Sequence, residues 1–115
     1  MNENVERFIN SIESDNSKKV TKYALKDVDN NIENYSLMQL EQFILDRKPN
    51  SPKEIITVCY VLGTYGKWLK EQGIVDNDNL YQVAQSIDKK LLWKKAKPNA
   101  KKKFINNEEY QRVIK

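Results

Sequence analysis

The sequence contains no histidine, one cysteine (Cys59) and only three glycines among 115 residues. Without histidine there is no Ser–His or Cys–His nucleophile pair and no imidazole metal ligand. A single cysteine excludes an internal disulfide and a Cys-x-x-Cys site, and one free thiol is typical of a protein of the reducing cytoplasm. Because Gly63 and Gly66 are the closest glycine pair, no glycine-rich loop is available to cradle a phosphate.

Long apolar runs and paired buried carboxylates are missing as well. Because the longest apolar runs are a few residues, we expect no membrane-spanning helix. Because the N-terminal segment is acidic and lacks an apolar core, we expect no secretion signal. No carboxylate pair lies in an apolar setting suited to general acid–base catalysis. Asp27, Asp29 and Asn31 imitate the start of a calcium loop, but Ile32 stands where that loop needs glycine and Met38 where it needs glutamate. We therefore expect no catalytic residue, cofactor or metal site.

Charge is distributed unevenly along a chain whose net charge is +4. Residues 1–88 carry 10 basic and 14 acidic side chains, whereas residues 89–115 carry 10 basic and 2 acidic ones. A basic end on a mildly acidic body indicates a polyanionic partner, most simply nucleic acid. A lysine tail that only improves solubility would produce the same distribution.

Apolar residues recur at helical spacing throughout, and the alternating pattern of strands is missing, so the predicted fold class is all-α. We expect one domain over residues 1–93, with four principal helices and a short N-terminal helix. The predicted helices cover about residues 4–14, 18–30, 36–48, 51–71 and 78–93. The clearest boundaries are a capping box at Ser36, a cap at Ser51 followed by Pro52, and a stop at Gly73.

The apolar faces of these helices predict the core. The fourth helix presents Ile55, Cys59, Leu62, Gly66 and Leu69. On the second helix the residues expected to face inward are Val20, Ala24 and Val28, helped by Tyr23 or Leu25. Trp68 and Trp93 are expected in the core rather than on the surface.

The C-terminal part differs in composition from the rest. Residues 94–103 hold six lysines and a proline, which predicts a basic linker over 94–106 rather than packed structure. Residues 107–115 begin another helix whose apolar residues are Tyr110, Val113 and Ile114. Because that helix has no room to finish, we expect that more protein normally follows.

Several segments resemble the SAM-like core-binding domain of tyrosine recombinases and phage integrases. They are residues 37–44 (LMQLEQFI), residues 51–55 (SPKEI) and the end of the long helix, where Tyr65, Trp68, Leu69 and Gly73 fit the family pattern. Residues 103–110 (KFINNEEY) resemble the opening of the family's catalytic domain. The resemblance covers about residues 18–115.

The resemblance implies a four-helix, SAM-like DNA clamp of an integrase. It implies duplex DNA as the partner, other integrase protomers in the full-length protein, and a role in DNA integration and recombination. The family's arginine, histidine and tyrosine cluster belongs to a catalytic domain that is missing here. We therefore expect this chain to be non-catalytic, cytoplasmic and monomeric.

Two polar stripes and the linker supply the candidate DNA contacts. The second helix contributes Lys18, Lys19, Lys22 and Lys26; the fourth contributes Lys53, Thr57, Tyr60, Thr64 and Lys67; and the linker contributes Lys94, Lys95, Lys101, Lys102 and Lys103. Both stripes lack acids, so helices packed side by side would form one phosphate-binding surface, with Thr57 or Tyr60 reading base edges. The alternatives are ordinary solvated surface and a helical protein-interaction module with a basic tail.

Overall fold

A computed structural model describes residues 2–104, with side chains for residues 2–96. The described part is helical and contains no strand, which confirms the predicted all-α class. Its elements are α1 (Glu3–Asn10), α2 (Asp15–Ala24), a 3₁₀ helix (Ile32–Asn34), α3 (Leu37–Asp46), α4 (Pro52–Glu71), α5 (Asn79–Ser86) and α6 (Lys89–Phe104). The helix predicted over 107–115 lies outside the described residues.

The strongest boundary signals of the sequence correspond to real caps. The Gln39 amide donates to Ser36 Oγ at 3.2 Å, and the Ser36 amide donates to Gln39 Oε1 at 2.9 Å, which completes the capping box of α3. At α4, the Glu54 amide donates to Ser51 Oγ at 3.3 Å. Gly73 has a φ of +74°, the left-handed conformation that ends a helix at little cost for glycine.

The second helix differs from its prediction in extent and in orientation. It begins at Asp15 because Ser14 Oγ accepts from the Ser17 amide at 3.3 Å, and it ends at Ala24. Its buried residues are Thr21, Ala24 and the following Leu25, whereas Val20 is 37% exposed. The predicted inward position of Val20 is therefore wrong, and the apolar face is centred one residue further along.

The predicted fifth helix is two helices, separated at Ile87 and Asp88. Ile87 is buried in an extended conformation, and Asp88 caps α6, since its Oδ1 accepts from the Leu91 amide at 3.0 Å. The backbone of α6 is helical to Phe104, so the part of the predicted linker up to that residue continues a helix. Lysine and alanine, which dominate this segment, are good helix formers.

The central element is α4, which contacts α1, α2, α5 and α6. Its predicted apolar face is buried, with Ile55, Leu62 and Leu69 at 0–1% exposure. Phe8 of α1 packs against the rings of Tyr65 and Trp68, each at a centroid distance of 5.4 Å. The core is thus assembled around one long helix.

The contact between α4 and α5 depends on Gly66. A Cβ atom at this position would lie 2.8 Å from the Tyr81 backbone nitrogen and 2.9 Å from Leu80 Cβ. Both distances are shorter than van der Waals contact allows, so α5 approaches the backbone of α4 as closely as it does only because residue 66 has no side chain. At Gly63 the nearest atom to such a Cβ is Tyr81 Cδ1 at 3.5 Å, an ordinary contact.

We predict opposite outcomes for two alanine substitutions one turn apart. Gly66→Ala should lower the free energy of unfolding by about 1–3 kcal/mol, because backbone atoms of α5 must move to admit the methyl group. Gly63→Ala should be neutral or stabilising by up to about 1 kcal/mol, since the space exists and alanine is the better helix former. Urea denaturation of both variants measures the difference, and equal effects would contradict it.

We also predict a large loss of stability for Leu62→Ala. Leu62 is fully buried on the central face of α4, so its truncation removes transfer free energy and leaves a cavity. The expected cost is about 2–5 kcal/mol, measured by chemical denaturation. A cost below about 1 kcal/mol would show that this face of α4 is not the core.

Candidate nucleic-acid interface

A groove between α2 and α4 brings together residues from both predicted stripes. We call it the α2–α4 groove. It has a volume of about 440 Å³ and is lined by Lys19, Val20 and Tyr23 of α2, by Lys53, Glu54 and Thr57 of α4, and by Ser51. Lys19 thus shares one surface with Lys53 and Thr57, which follow it by 34 and 38 positions in sequence.

The other lysines of α2 lie outside this groove. Since residues 19, 20 and 23 line the groove, the 100° step of a helix places Lys18 and Lys22 on a different flank of α2. Lys26 lines a separate hollow with Tyr23, Asp27, Phe43, Asp46 and Arg47. The lysine set predicted on the second helix is therefore divided between two surfaces.

A larger groove, with a volume of about 620 Å³, runs along α4 toward α5; we call it the α4–α5 groove. From the predicted set it contains Tyr60, Thr64 and Lys67. Its other wall is formed by Tyr81 and Gln85 of α5 and by Lys89, the first residue of α6. The groove is also lined by Phe8, Trp68 and Glu71. The two grooves are continuous, because a hollow lined by Val20, Ile56, Thr57 and Tyr60 connects them.

An acidic residue that the stripe analysis did not take into account lies inside the α2–α4 groove. The Tyr23 hydroxyl donates to Glu54 Oε2 at 2.5 Å, and the Asn50 amide donates to Glu54 Oε1 at 3.3 Å. The hydrogen bond to Glu54, followed by burial and the negative charge of that carboxylate, raises the pKa of Tyr23. Glu54 therefore reduces the positive potential beside Lys19 and Lys53 but is held by two donors.

Arg47 fixes the end of α2 beside this groove. Its guanidinium donates to the carbonyl oxygen of Lys26 at 2.9 Å and to that of Tyr23. The same group lies 4.8 Å from the centroid of the Tyr23 ring and 5.5 Å from that of Phe43. These contacts join α3 to the C-terminus of α2, whose carbonyl groups need such partners.

Exposed apolar side chains lie between the lysines. Tyr60 is 73% exposed and Ile56 is 50% exposed, and both line the passage between the two grooves. Val20 and Tyr23 extend this patch onto α2. The interface is therefore mixed, with ammonium groups around an apolar and aromatic centre.

The lysines of the predicted linker fall into two groups. Lys94 and Lys95 are exposed on α6, and Lys95 Nζ lies 3.8 Å from Glu41 Oε1, an ion pair that joins α6 to α3. Neither residue lines the two grooves. The side chains of Lys101, Lys102 and Lys103 lie outside the described residues.

Sequence reasoning missed Arg47, Tyr81, Gln85 and Lys89. Lys89 belonged to the interior of a single predicted helix, and it reaches α4 because the chain breaks at Asp88 and begins α6 there. The signal that could have shown this break is Asp88, an aspartate immediately before a lysine pair and three residues before Leu91. Nothing in the sequence pattern marks Arg47 as a partner of carbonyl groups 21 and 24 residues earlier.

The described residues offer little for covalent or metal chemistry. Cys59 is buried, and its burial raises the pKa of the thiol from 9.0 to about 11, against the opposing effect of the Lys89 charge. Within residues 2–96, no three side chains of histidine, cysteine, aspartate or glutamate are grouped so that they could hold a metal ion. No helix in the described part of the chain combines the length and apolar character needed to cross a membrane.

Comparison with known proteins identifies no relative. No protein-family model matches the chain, and no curated protein and no solved structure is significantly similar to it. Its function is therefore inferred from the residues and the geometry of this chain alone.

We predict that stability falls at alkaline pH. Burial raises the pKa of Cys59 to about 11 and that of Tyr65 to about 12, so the unfolded chain loses these protons at a lower pH than the folded chain. The free energy of unfolding should therefore decline from about pH 9 upward, by roughly 2–3 kcal/mol for Cys59 alone. Urea denaturation from about pH 8 to pH 11 measures this decline.

Cys59→Ala is the control for the alkaline effect. The variant should be less stable at neutral pH but should lose less stability between about pH 9 and pH 11, because one of the titrating groups is gone. Identical pH profiles for the two proteins would contradict the assignment to Cys59.

Proposed function

We propose that this chain is a DNA-binding domain that clamps duplex DNA, of the SAM-like core-binding type found in integrases of the tyrosine recombinase family. In this proposal it is non-catalytic and takes part in integration and recombination as part of a longer protein acting with other protomers. The observation that supports the proposal most directly is the packing of α2 against α4. This packing places Lys19, Lys53 and Thr57 around one groove that continues past Tyr60 to Lys67.

The roles of the side chains follow from their chemistry. Lys19, Lys53 and Lys67 would contact phosphate oxygens, which positions a duplex without reading its sequence. Tyr60 is the better candidate for base contact, because its side chain is 73% exposed and its hydroxyl both donates and accepts. Thr64 is less suited to that role, since its hydroxyl already donates to the Tyr60 carbonyl at 2.9 Å.

The helical body and the C-terminal part of the chain differ in net charge, and so they would contribute differently to DNA binding. Residues 2–96 carry 14 basic and 14 acidic side chains, whereas residues 97–115 carry 6 basic and 2 acidic ones. The helical body therefore offers local basic positions rather than a net positive field. The general attraction toward a polyanion would come mainly from the C-terminal part.

A second candidate function is a helical protein-interaction module. The observation that favours it is the apolar patch of Val20, Tyr23, Ile56 and Tyr60, which lies at the centre of the interface. Aromatic and aliphatic anchors surrounded by charged groups are typical of protein-binding surfaces. The two candidates differ in salt dependence, because phosphate contacts weaken steeply as salt rises.

We predict that Lys53→Glu and Lys67→Glu weaken binding of a fluorescent duplex of arbitrary sequence. Each should reduce affinity about tenfold near 100 mM salt and lower the slope of log affinity against log salt by about one. Lys22→Glu is the matched comparison, since it makes the same charge change on an exposed flank of α2 away from the grooves. Its effect should be smaller. Fluorescence anisotropy between about 50 and 200 mM salt measures all three.

Two results would overturn the proposal. If the unmodified chain does not bind duplex DNA at about 50 mM salt, the DNA-binding role is wrong and the protein-interaction role is favoured. A covalent adduct between this chain and DNA would contradict its non-catalytic character. Equal effects of Lys22→Glu and Lys67→Glu would leave DNA binding intact but would show that the grooves are not its centre.

A further inference from the structure

The far wall of the α4–α5 groove carries a lysine that the proposed function does not use. Lys89 is the first residue of α6 and lines this groove opposite Tyr60, Thr64 and Lys67. The buried Cys59 of α4 lines the same groove, so Lys89 borders a surface that it shares with α4. Its neighbour Lys90 is exposed and does not line the groove.

On the α4 side of the groove, an aromatic contact positions the ammonium group of Lys67. Lys67 Nζ lies 5.0 Å from the centroid of the Tyr81 ring, which directs this ammonium group toward α5 and therefore toward the side of the groove on which Lys89 lies. Gln85, one turn after Tyr81, adds an amide donor on the α5 side of the groove, the side of Lys89. Two ammonium groups and an amide thus border one concave surface.

The acidic groups near this wall are Asp88 and Glu71. Asp88 Oδ1 accepts from the Leu91 amide at 3.0 Å, so its carboxylate is engaged in capping α6. Glu71 is exposed at the end of α4 and lines the same groove. The negative charge of Glu71 repels an anion in this groove. Removal of that charge should therefore strengthen anion binding.

The width of α4 relates this wall to the α2–α4 groove. A helix with its side chains is about 10–12 Å across, close to the roughly 12 Å width of the major groove of B-DNA. Lys19 and Lys89 lie on the elements to either side of α4. Basic side chains so placed suit phosphates of the two strands that border one major groove, with the exposed residues of α4 between them.

We infer that Lys89, together with Gln85 and Lys67, forms a second phosphate-binding position for the same DNA duplex, on the α5–α6 side of α4. This inference rests on the proposed function and extends it, because it assigns α5 and the start of α6 to the DNA interface. The ligand is a backbone phosphodiester, so the contact contributes affinity and orientation rather than sequence readout.

The test compares two adjacent lysines. Lys89→Glu should weaken duplex binding about tenfold near 100 mM salt and reduce the salt slope by about one, whereas Lys90→Glu should weaken it no more than about twofold. The two variants have the same net charge and nearly the same local sequence. Glutamate in the first turn of a helix is favourable, so Lys89→Glu should stay folded, which thermal denaturation verifies.

A gain of affinity provides a second readout. Glu71→Gln should strengthen duplex binding about two- to threefold, since it removes the negative charge from the groove. Asp76→Asn, which makes the same kind of change in the exposed segment before α5, should not.

The outcomes separate this inference from the function on which it rests. If Lys53→Glu weakens binding but Lys89→Glu behaves like Lys90→Glu, the second position is wrong and the DNA-binding role stands. If the unmodified chain does not bind duplex DNA at low salt, both are wrong. Larger effects of Lys89→Glu than of Lys90→Glu, together with the Glu71→Gln gain, support the inference.

Discussion

The close approach of α5 to α4 at Gly66 is the constraint on which the rest of the structure depends. Because the backbone of α5 contacts α4 directly, Leu80 and Ala84 become part of the core and Tyr81 lies over Gly63. The short connection through Ile87 then brings the start of α6 back to α4. Without this approach Lys67 and Lys89 would not line one groove, and the α4–α5 groove would not exist in its present form.

On its other side, α4 is held by aromatic and polar contacts rather than by a glycine. Phe8 packs against Tyr65 and Trp68, and Glu54 accepts a hydrogen bond from Tyr23 across the α2–α4 groove. Arg47 in turn fixes the end of α2 through its carbonyl groups. The exposed stripe of α4 therefore lies between two neighbouring elements whose positions are set by separate interactions.

Local signals made α3 and α4 predictable from the sequence. Ser36 with Gln39, Ser51 with Pro52, and Gly73 each act within a few residues, so their pattern determines the structure directly. The break before α6 was missed because it needs both a cap at Asp88 and burial of Ile87 in the core. The latter is a tertiary effect, which periodicity cannot show.

Helical periodicity predicted which residues of the candidate site are exposed, but not which of them meet across a groove. Periodicity gives the angle between two stripes on one helix, and so it correctly separated Lys53, Thr57 and Lys67 from the buried face of α4. It does not say which flank of the buried face meets the neighbouring helix. On α2 the flank that faces α4 carries Lys19, Val20 and Tyr23, while Lys22 lies on the other flank. The choice depends on how α2 rotates against α4, which Thr21 and Ala24 decide by their burial.

The acidic groups explain why local placement has more effect than net charge in this molecule. The helical body is balanced in charge, so a polyanion gains nothing from it at long range. At contact distance the balance changes, because Glu54 is bound by Tyr23 and Asn50, Asp88 caps a helix and Glu41 pairs with Lys95. These carboxylates already have protein partners, whereas Lys19, Lys53 and Lys67 border open grooves. An approaching phosphate would therefore meet ammonium groups along the two sides of α4, with Glu71 in the α4–α5 groove as the opposing charge.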